Sequence, residues 1–317
     1  MSNSSEFKIV VNNLVKSYNN KTNAVNGLTF SVSKGEIYGL LGRNGAGKTT
    51  TIRILTTLIP PTSGEAEVCG MNVVHKATKI RKLIGVVQQG EAFDFTTVEG
   101  NFKIYQLLWE IPKEEASNRM EYLMELFKIE HLRKKRMFEL SGGEKKRVQV
   151  AREFMHDMEV LFLDEPTVGM DPIMRRDVLN FVRDKAKDGL TVLFTTQILE
   201  EADYLCDRIG IMNNGVISAE GTSASLKNSY GDLRKVEMKF SFEVSSDSIE
   251  KLKKEFSKIS DIQAYLINEK ESEFIIKNIG KTLPLILSLF GSTGVSIETI
   301  STNNPTLDDV FLQVVAR

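Results

Sequence analysis

The run Gly42-Arg43-Asn44-Gly45-Ala46-Gly47-Lys48-Thr49 constrains this chain more than any other stretch. It fits G-x-x-x-x-G-K-[ST], follows the apolar run Ile37 to Leu41, and opens into Thr50 to Leu58, which reads as a helix. A buried strand, a glycine-rich loop and a helix in that order make a cradle for phosphate. The glycines permit the tight curl that points successive N–H groups inward. The helix start adds its positive end. In this pattern Lys48 reaches the β- and γ-phosphates of a nucleotide and the Thr49 hydroxyl ligates Mg²⁺. At average residue usage, chance gives the pattern in roughly one chain of this length in a hundred. The strand–loop–helix setting makes a chance match rarer still.

Around this loop the chain reads as a parallel α/β core. Phe7 to Val11 and Leu28 to Val32 read as short strands, and strand-like pieces surround Glu67 and Ile84 to Val87. From Thr97 the texture changes: Leu107, Leu108, Ile111, Tyr122, Leu123, Leu126 and Phe127 recur at helical spacing. We read a helical insert over about 97–155. Buried strands return at Val160 to Leu163 and Thr191 to Thr196, each after a helical stretch. A different order begins near residue 231. Strand, helix, two strands, helix and strand follow in turn, the β-α-β-β-α-β order of a small ferredoxin-like domain, with a last helix from Leu307 to Val315. The expected organisation is therefore a nucleotide-binding domain over 1–230 and an α+β accessory domain over 231–317.

Two further elements carry chemistry. Val160-Leu161-Phe162-Leu163-Asp164-Glu165 is an apolar strand ending in two carboxylates. Asp164 is placed to hold Mg²⁺ and Glu165, pointing another way, to polarise an attacking water. Leu140-Ser141-Gly142-Gly143-Glu144 opens a helix whose free N–H groups form a second anion site. By itself this is a common loop-to-helix junction; beside the other two elements it becomes specific.

The set resembles an ATP-binding-cassette (ABC) ATPase, and the likeness spans residues 7 to about 227. The resemblance implies a P-loop NTPase cassette with an antiparallel β subdomain and the helical insert. It makes Gly42 to Thr49, with the adjoining Thr50, the Walker A loop and Val160 to Glu165 the Walker B strand with its catalytic Glu165. Ser141, Gly142 and Gly143 become the signature offered to the ATP on a second cassette, and Asp171, in Val168-Gly169-Met170-Asp171, the D-loop acid. Gln89, after Ile84-Gly85-Val86-Val87-Gln88, takes the place of a glutamine that touches Mg²⁺ and senses the membrane subunit, with Gln88 the alternative one residue earlier. Tyr18 takes the place of the aromatic that stacks on adenine. The ending Asn304-Pro305-Thr306-Leu307-Asp308-Asp309-Val310-Phe311-Leu312 resembles that of ATPases from the drug-resistance exporters. A second cassette, a separate transmembrane permease, ATP and Mg²⁺ are the implied partners and cofactors. The implied place is the cytoplasmic face of the membrane.

One position departs from the pattern. Where the family carries a switch histidine after Thr191 to Thr196, this chain has Gln197. Glutamine donates an amide hydrogen bond but carries no positive charge, so hydrolysis is expected to survive at a reduced rate.

Composition narrows the alternatives. A formal net charge of −1 gives no global attraction to nucleic acid, and the basic run Arg133-Lys134-Lys135-Arg136 lacks interleaved aromatics. No nucleic-acid partner is expected. Cys69 and Cys206, and His75, His131 and His156, lack metal-ligand spacing. No stretch approaches the ~18 apolar residues of a membrane span, and Met1 to Lys8 lacks the apolar core of a signal peptide. The competing readings are a cassette acting on ribosomes or DNA, and a slow nucleotide switch. The first often carries two cassettes or long coiled-coil inserts, and neither is present; the second is prompted by Gln197.

Overall fold

The computed structural model describes residues 6–18, 22–88, 95–229, 233–303 and 306–315, so Gln89, Asn304 and Pro305 lie outside the described residues. The chain divides into two compact units, Met1–Thr222 and Ser223–Arg317.

In the first unit the elements run β1 (Phe7–Ser17), β2 (Asn23–Ser33), β3 (Ile37–Leu41), α1 (Lys48–Leu55), β4 (Ser63–Val68), β5 (Met71–Asn72), α2 (Ala77–Arg81) and β6 (Ile84–Val87). Then come α3 (Val98–Leu108), α4 (Lys113–Leu126), α5 (Gly142–Glu153), β7 (Val160–Asp164), α6 (Pro172–Lys187), β8 (Thr191–Thr196), α7 (Leu199–Leu205), β9 (Arg208–Asn213) and β10 (Val216–Gly221). They build two sheets. One is antiparallel, in the order β2-β1-β4-β5; the other runs β10-β9-β3-β8-β7-β6. In the second sheet β9, β3, β8, β7 and β6 pair in parallel and only β10 is antiparallel. The hairpin from β9 to β10 turns on Asn214 and Gly215, both at positive φ (48° and 82°), as a tight primed turn requires.

The parallel sheet is buried on both faces. Along β7 and β8, Leu161, Leu163, Val192 and Phe194 point to one core, and Val160, Phe162 and Leu193 to the other. This two-residue alternation between two apolar layers is why these strands read as unbroken apolar runs. The second layer joins the sheet to the antiparallel one through Ile9, Val11, Leu28 and Phe30. The first joins it to the helical insert, where Phe102, Met120, Leu123, Met124 and Leu132 pack with Val148 and Ala151 of α5. The Thr97 hydroxyl caps α3 by accepting from the Gly100 amide at 3.0 Å.

The second unit comprises α8 (Ser223–Ser229), β11 (Leu233–Phe240), α9 (Ser246–Phe256), β12 (Ile262–Ile267), β13 (Glu271–Lys277), α10 (Ile279–Ser292), β14 (Ile297–Asn303) and α11 (Leu307–Val315). Its sheet order is β12-β13-β11-β14 with every pairing antiparallel, the arrangement of a ferredoxin-like fold. Phe256, Phe274 and Phe290 meet at its centre, with edge-on contacts to Phe274 at centroid distances of 4.9 and 6.1 Å. Phe274 is fully buried, so Phe274→Ala is expected to cost about 3–5 kcal/mol in unit stability. Denaturant unfolding followed by circular dichroism checks this.

Candidate functional site

The loop after β3 is shaped by glycines, and at Gly42 and Gly47 the backbone around them leaves no room for a side chain. Gly47, the cap of α1, sits at φ 109°, and a Cβ there would press on the Ala24 carbonyl oxygen. Gly45 is at φ 84° and faces open space. Lys48 is buried (5% exposed), and its Nζ donates to the carbonyl oxygens of Gly42 at 2.6 Å and Arg43 at 3.3 Å. Burial holds its ammonium below the ordinary lysine range, and the neighbouring Glu165 and Asp164 carboxylates oppose that shift. The loop thus keeps a cation in reserve on backbone acceptors. Thr49 and Thr50 are half-buried on the first turn of α1. Tyr18 is exposed, with its hydroxyl 3.5 Å from Thr50 Oγ1 and the Lys16 ammonium 5.6 Å from its ring centroid.

The two carboxylates at the end of β7 have different surroundings. Asp164 is 2% exposed and accepts from Thr195 Oγ1 at 2.7 Å. Glu165 has a left-handed backbone, φ 50°, which L side chains seldom adopt. That turn is stabilised because its amide donates to the Thr195 carbonyl at 3.1 Å and approaches Thr195 Oγ1 at 3.2 Å. Its side chain accepts from the Gln197 amide nitrogen at 2.7 Å. Lys48, Asp164, Glu165 and Gln197 therefore share one locality. Sequence reasoning missed Thr195, whose only signal was a paired threonine at a strand end.

Ser141 caps α5 in a capping box: its hydroxyl donates to Glu144 Oε2 at 2.8 Å and accepts from the Glu144 amide at 3.3 Å. The Ser141 amide, donating to the same carboxylate, holds Glu144 below the usual carboxylate range. Ser141 and Gly142 are exposed, while Gly143 is buried against Gly169, where a Cβ would strike the Gly169 carbonyl. Asp171 caps α6, accepting from the amides of Ile173 and Met174 at 3.1 and 3.0 Å. Those bonds lower its carboxyl pKa. Gln88 is described and its carbonyl accepts from Lys146 of α5.

The donor set suits a hard cation that keeps other oxygen ligands. Thr49 and Asp164 offer a hydroxyl and a carboxylate, and no group of three or more His, Cys, Asp or Glu forms a metal cage among the described residues. Magnesium is commonly held in this way, by one or two protein oxygens plus phosphate and water. The open space at Gly45 and the N–H groups around Gly47 fit a phosphate.

Two outcomes follow from this geometry. Gly47→Ala is expected to add about 1–3 kcal/mol of backbone strain, besides the collision with Ala24. Thermal unfolding and nucleotide titration should show a lower midpoint and weakened binding. Gln197→His is expected to raise ATP hydrolysis, since a charge-assisted hydrogen bond is worth about 1.5–3 kcal/mol, tenfold to a hundredfold in rate. Imidazole loses its charge as pH rises through about 6.5, so the gain should fade toward alkaline pH. A rate no faster than wild type at any pH would contradict it.

Comparison with known proteins agrees with this geometry. The ABC transporter family matches residues 25–168, and the C-terminal domain of DrrA1-3-like ATP-binding proteins matches residues 221–315. The chain is 34% identical over 316 residues to the daunorubicin resistance ATP-binding protein DrrA3 of Streptomyces coeruleorubidus, covering 96% of this chain and 95% of that one. It is 34% identical over 308 residues to the Nod factor export ATP-binding protein I of Burkholderia lata, covering 96% of each. A solved ATP-binding subunit of an ABC transporter, 26% identical, superposes with a TM-score of 0.65 over 70% of this chain and 93% of its own. A glycine-rich phosphate loop, a carboxylate pair at a strand end and these relatives lead to one conclusion: the chain belongs to the ABC transporter family, as one of its ATP-binding ATPase subunits with a DrrA-like C-terminal domain.

Proposed function

We propose that this chain powers a membrane exporter. In this reading two cassettes close head to tail over ATP, and the energy of closure and reopening passes to a separate permease. Among the described residues no helix is long and apolar enough to cross a membrane, which is compatible with a permease supplying the spans and holding the cassette at the cytoplasmic face. Export is supported by the names of the relatives, one a daunorubicin resistance ATP-binding protein and the other a Nod factor export ATP-binding protein.

Lys48 leaves the Gly42 and Arg43 carbonyls for the β- and γ-phosphate oxygens, and the amides of 43 to 49 surround the phosphates. Thr49 and Asp164 would hold Mg²⁺, with Gln89 a further ligand; the bound ion would neutralise phosphate charge. Tyr18 stacks on adenine. Ser141, Gly142 and Gly143 close over the γ-phosphate of the second cassette's ATP, with Asp171 at the same interface. Glu165 takes a proton from the attacking water, and Gln197 orients its carboxylate. The observation that carries this reading is the Glu165 carboxylate, held by a left-handed backbone and by the 2.7 Å bond from Gln197, in the neighbourhood of Lys48.

The test is the Mg²⁺-dependent ATPase rate of the purified chain beside Glu165→Gln. Loss of a positioned general base is expected to lower the rate by about 10²–10⁴-fold, with nucleotide binding retained. A variant as active as wild type would remove Glu165 from the role of base.

A further inference from the structure

A buried carboxylate outside the steps above joins the two loops that carry them. Glu201 lies in α7 and is 3% exposed. Its Oε1 accepts from Thr167 Oγ1 at 2.6 Å and its Oε2 from Thr196 Oγ1 at 2.7 Å. Arg175 Nε of α6 stands 3.3 Å from Oε1. Carboxylate oxygens this deep need hydrogen-bond partners, and here the partners come from the turn after β7, the end of β8 and α6.

The places of those partners matter. Thr167 is two residues after Glu165, and Thr196 is the residue before Gln197. Thr196 Oγ1 also accepts from the Ile198 amide at 3.0 Å. One hydroxyl thus gives its proton to Glu201 and fixes the backbone on the far side of Gln197. The hydrogen bond from Gln197 to Glu165 spans the same two loops. Its length depends on how far apart they are held, and Glu201 bonds to a threonine in each. The nucleotide loop is secured by other contacts, those of Lys48 with Gly42 and Arg43.

We propose that Glu201 is a positioning residue for ATP hydrolysis, clamping Thr167 to Thr196 so that Gln197 stays in register with Glu165. This rests on the assignment of Glu165 as base. Removing the clamp lets the two loops separate while the phosphate loop stays intact. Turnover falls and nucleotide affinity holds.

The experiment uses the full chain with Glu201→Gln, Thr196→Val and Thr196→Ser, and Glu165→Gln as control. For Glu201→Gln we expect kcat to fall tenfold or more with KM for ATP within twofold of wild type. Thr196→Val should behave alike, and Thr196→Ser, which keeps the hydroxyl, should remain within threefold. Adding Gln197→Ala to Glu201→Gln should cost no more than the worse single change. Without nucleotide, amide hydrogen exchange should quicken at least tenfold over 165–171 and 196–198 in Glu201→Gln and stay unchanged over 42–49. A kcat within twofold of wild type, unaltered exchange in the two loops, or a KM rising in step with the loss of kcat overturns the proposal. If Glu201→Gln fails to fold, the Thr196 pair decides: Val equal to Ser overturns it. A fully active Glu165→Gln would instead refute the assignment of the base. An inactive Glu165→Gln beside an unaffected Glu201→Gln refutes the clamp alone.

Discussion

Strands β7, β8 and β3 pair in parallel with Asp164 opposite Thr195 and Leu41 opposite Thr196. Three chain segments far apart in sequence therefore leave the sheet at the same edge and within one residue of the same level. Gly42 emerges next to Gln197, and Glu165 next to Thr196. No long-range electrostatic attraction has to assemble the site, because the hydrogen-bond ladder has already done so. The ladder is in turn fixed by two apolar layers, since a slip of one residue would exchange Leu161 and Leu163 with Val160 and Phe162. In open α/β sheets ligands gather at the carboxyl ends of the strands for this reason.

At that edge the protein concentrates groups that are costly to bury. Lys48, Asp164 and Glu165 are each less than a tenth exposed. Each has partners within the chain: two loop carbonyls for Lys48, the Thr195 hydroxyl for Asp164, the Gln197 amide for Glu165. These hydrogen-bond partners are neutral dipoles, and the opposite charges of Lys48 and the two carboxylates lie within electrostatic reach of one another. A strained Glu165 backbone belongs to the same arrangement, where local cost is borne by a rigid surround.

Much of this was legible in the residues. The strand ending at Leu41, the strand ending in Asp164-Glu165 and Thr191 to Thr196 are short apolar runs with sharp ends, and their bounds match the structure closely. The C-terminal order of strands and helices was also readable, down to the last helix at Leu307–Val315. The β9–β10 hairpin was overlooked although Asn214-Gly215 is a strong turn signal, because only one of its strands is deeply buried and β10 alternates weakly. The roles of Thr195, Thr196 and Glu201 were not legible. A threonine in a strand looks like β-propensity, and a glutamate on a short helix looks like a solvated face. Only the folded register shows that their side chains meet around Glu165 and Thr167.

The contact between Gly143 and Gly169 has a mechanical meaning. The start of α5 touches the loop that follows Glu165 with no side chain between them. Side chains are compliant spacers that take up small displacements by changing rotamer, and bare backbone has no such give. A displacement of α5 would therefore press backbone on backbone against the segment that runs from Glu165 to the Asp171 cap. The two pieces of chain behave as a rigid bearing.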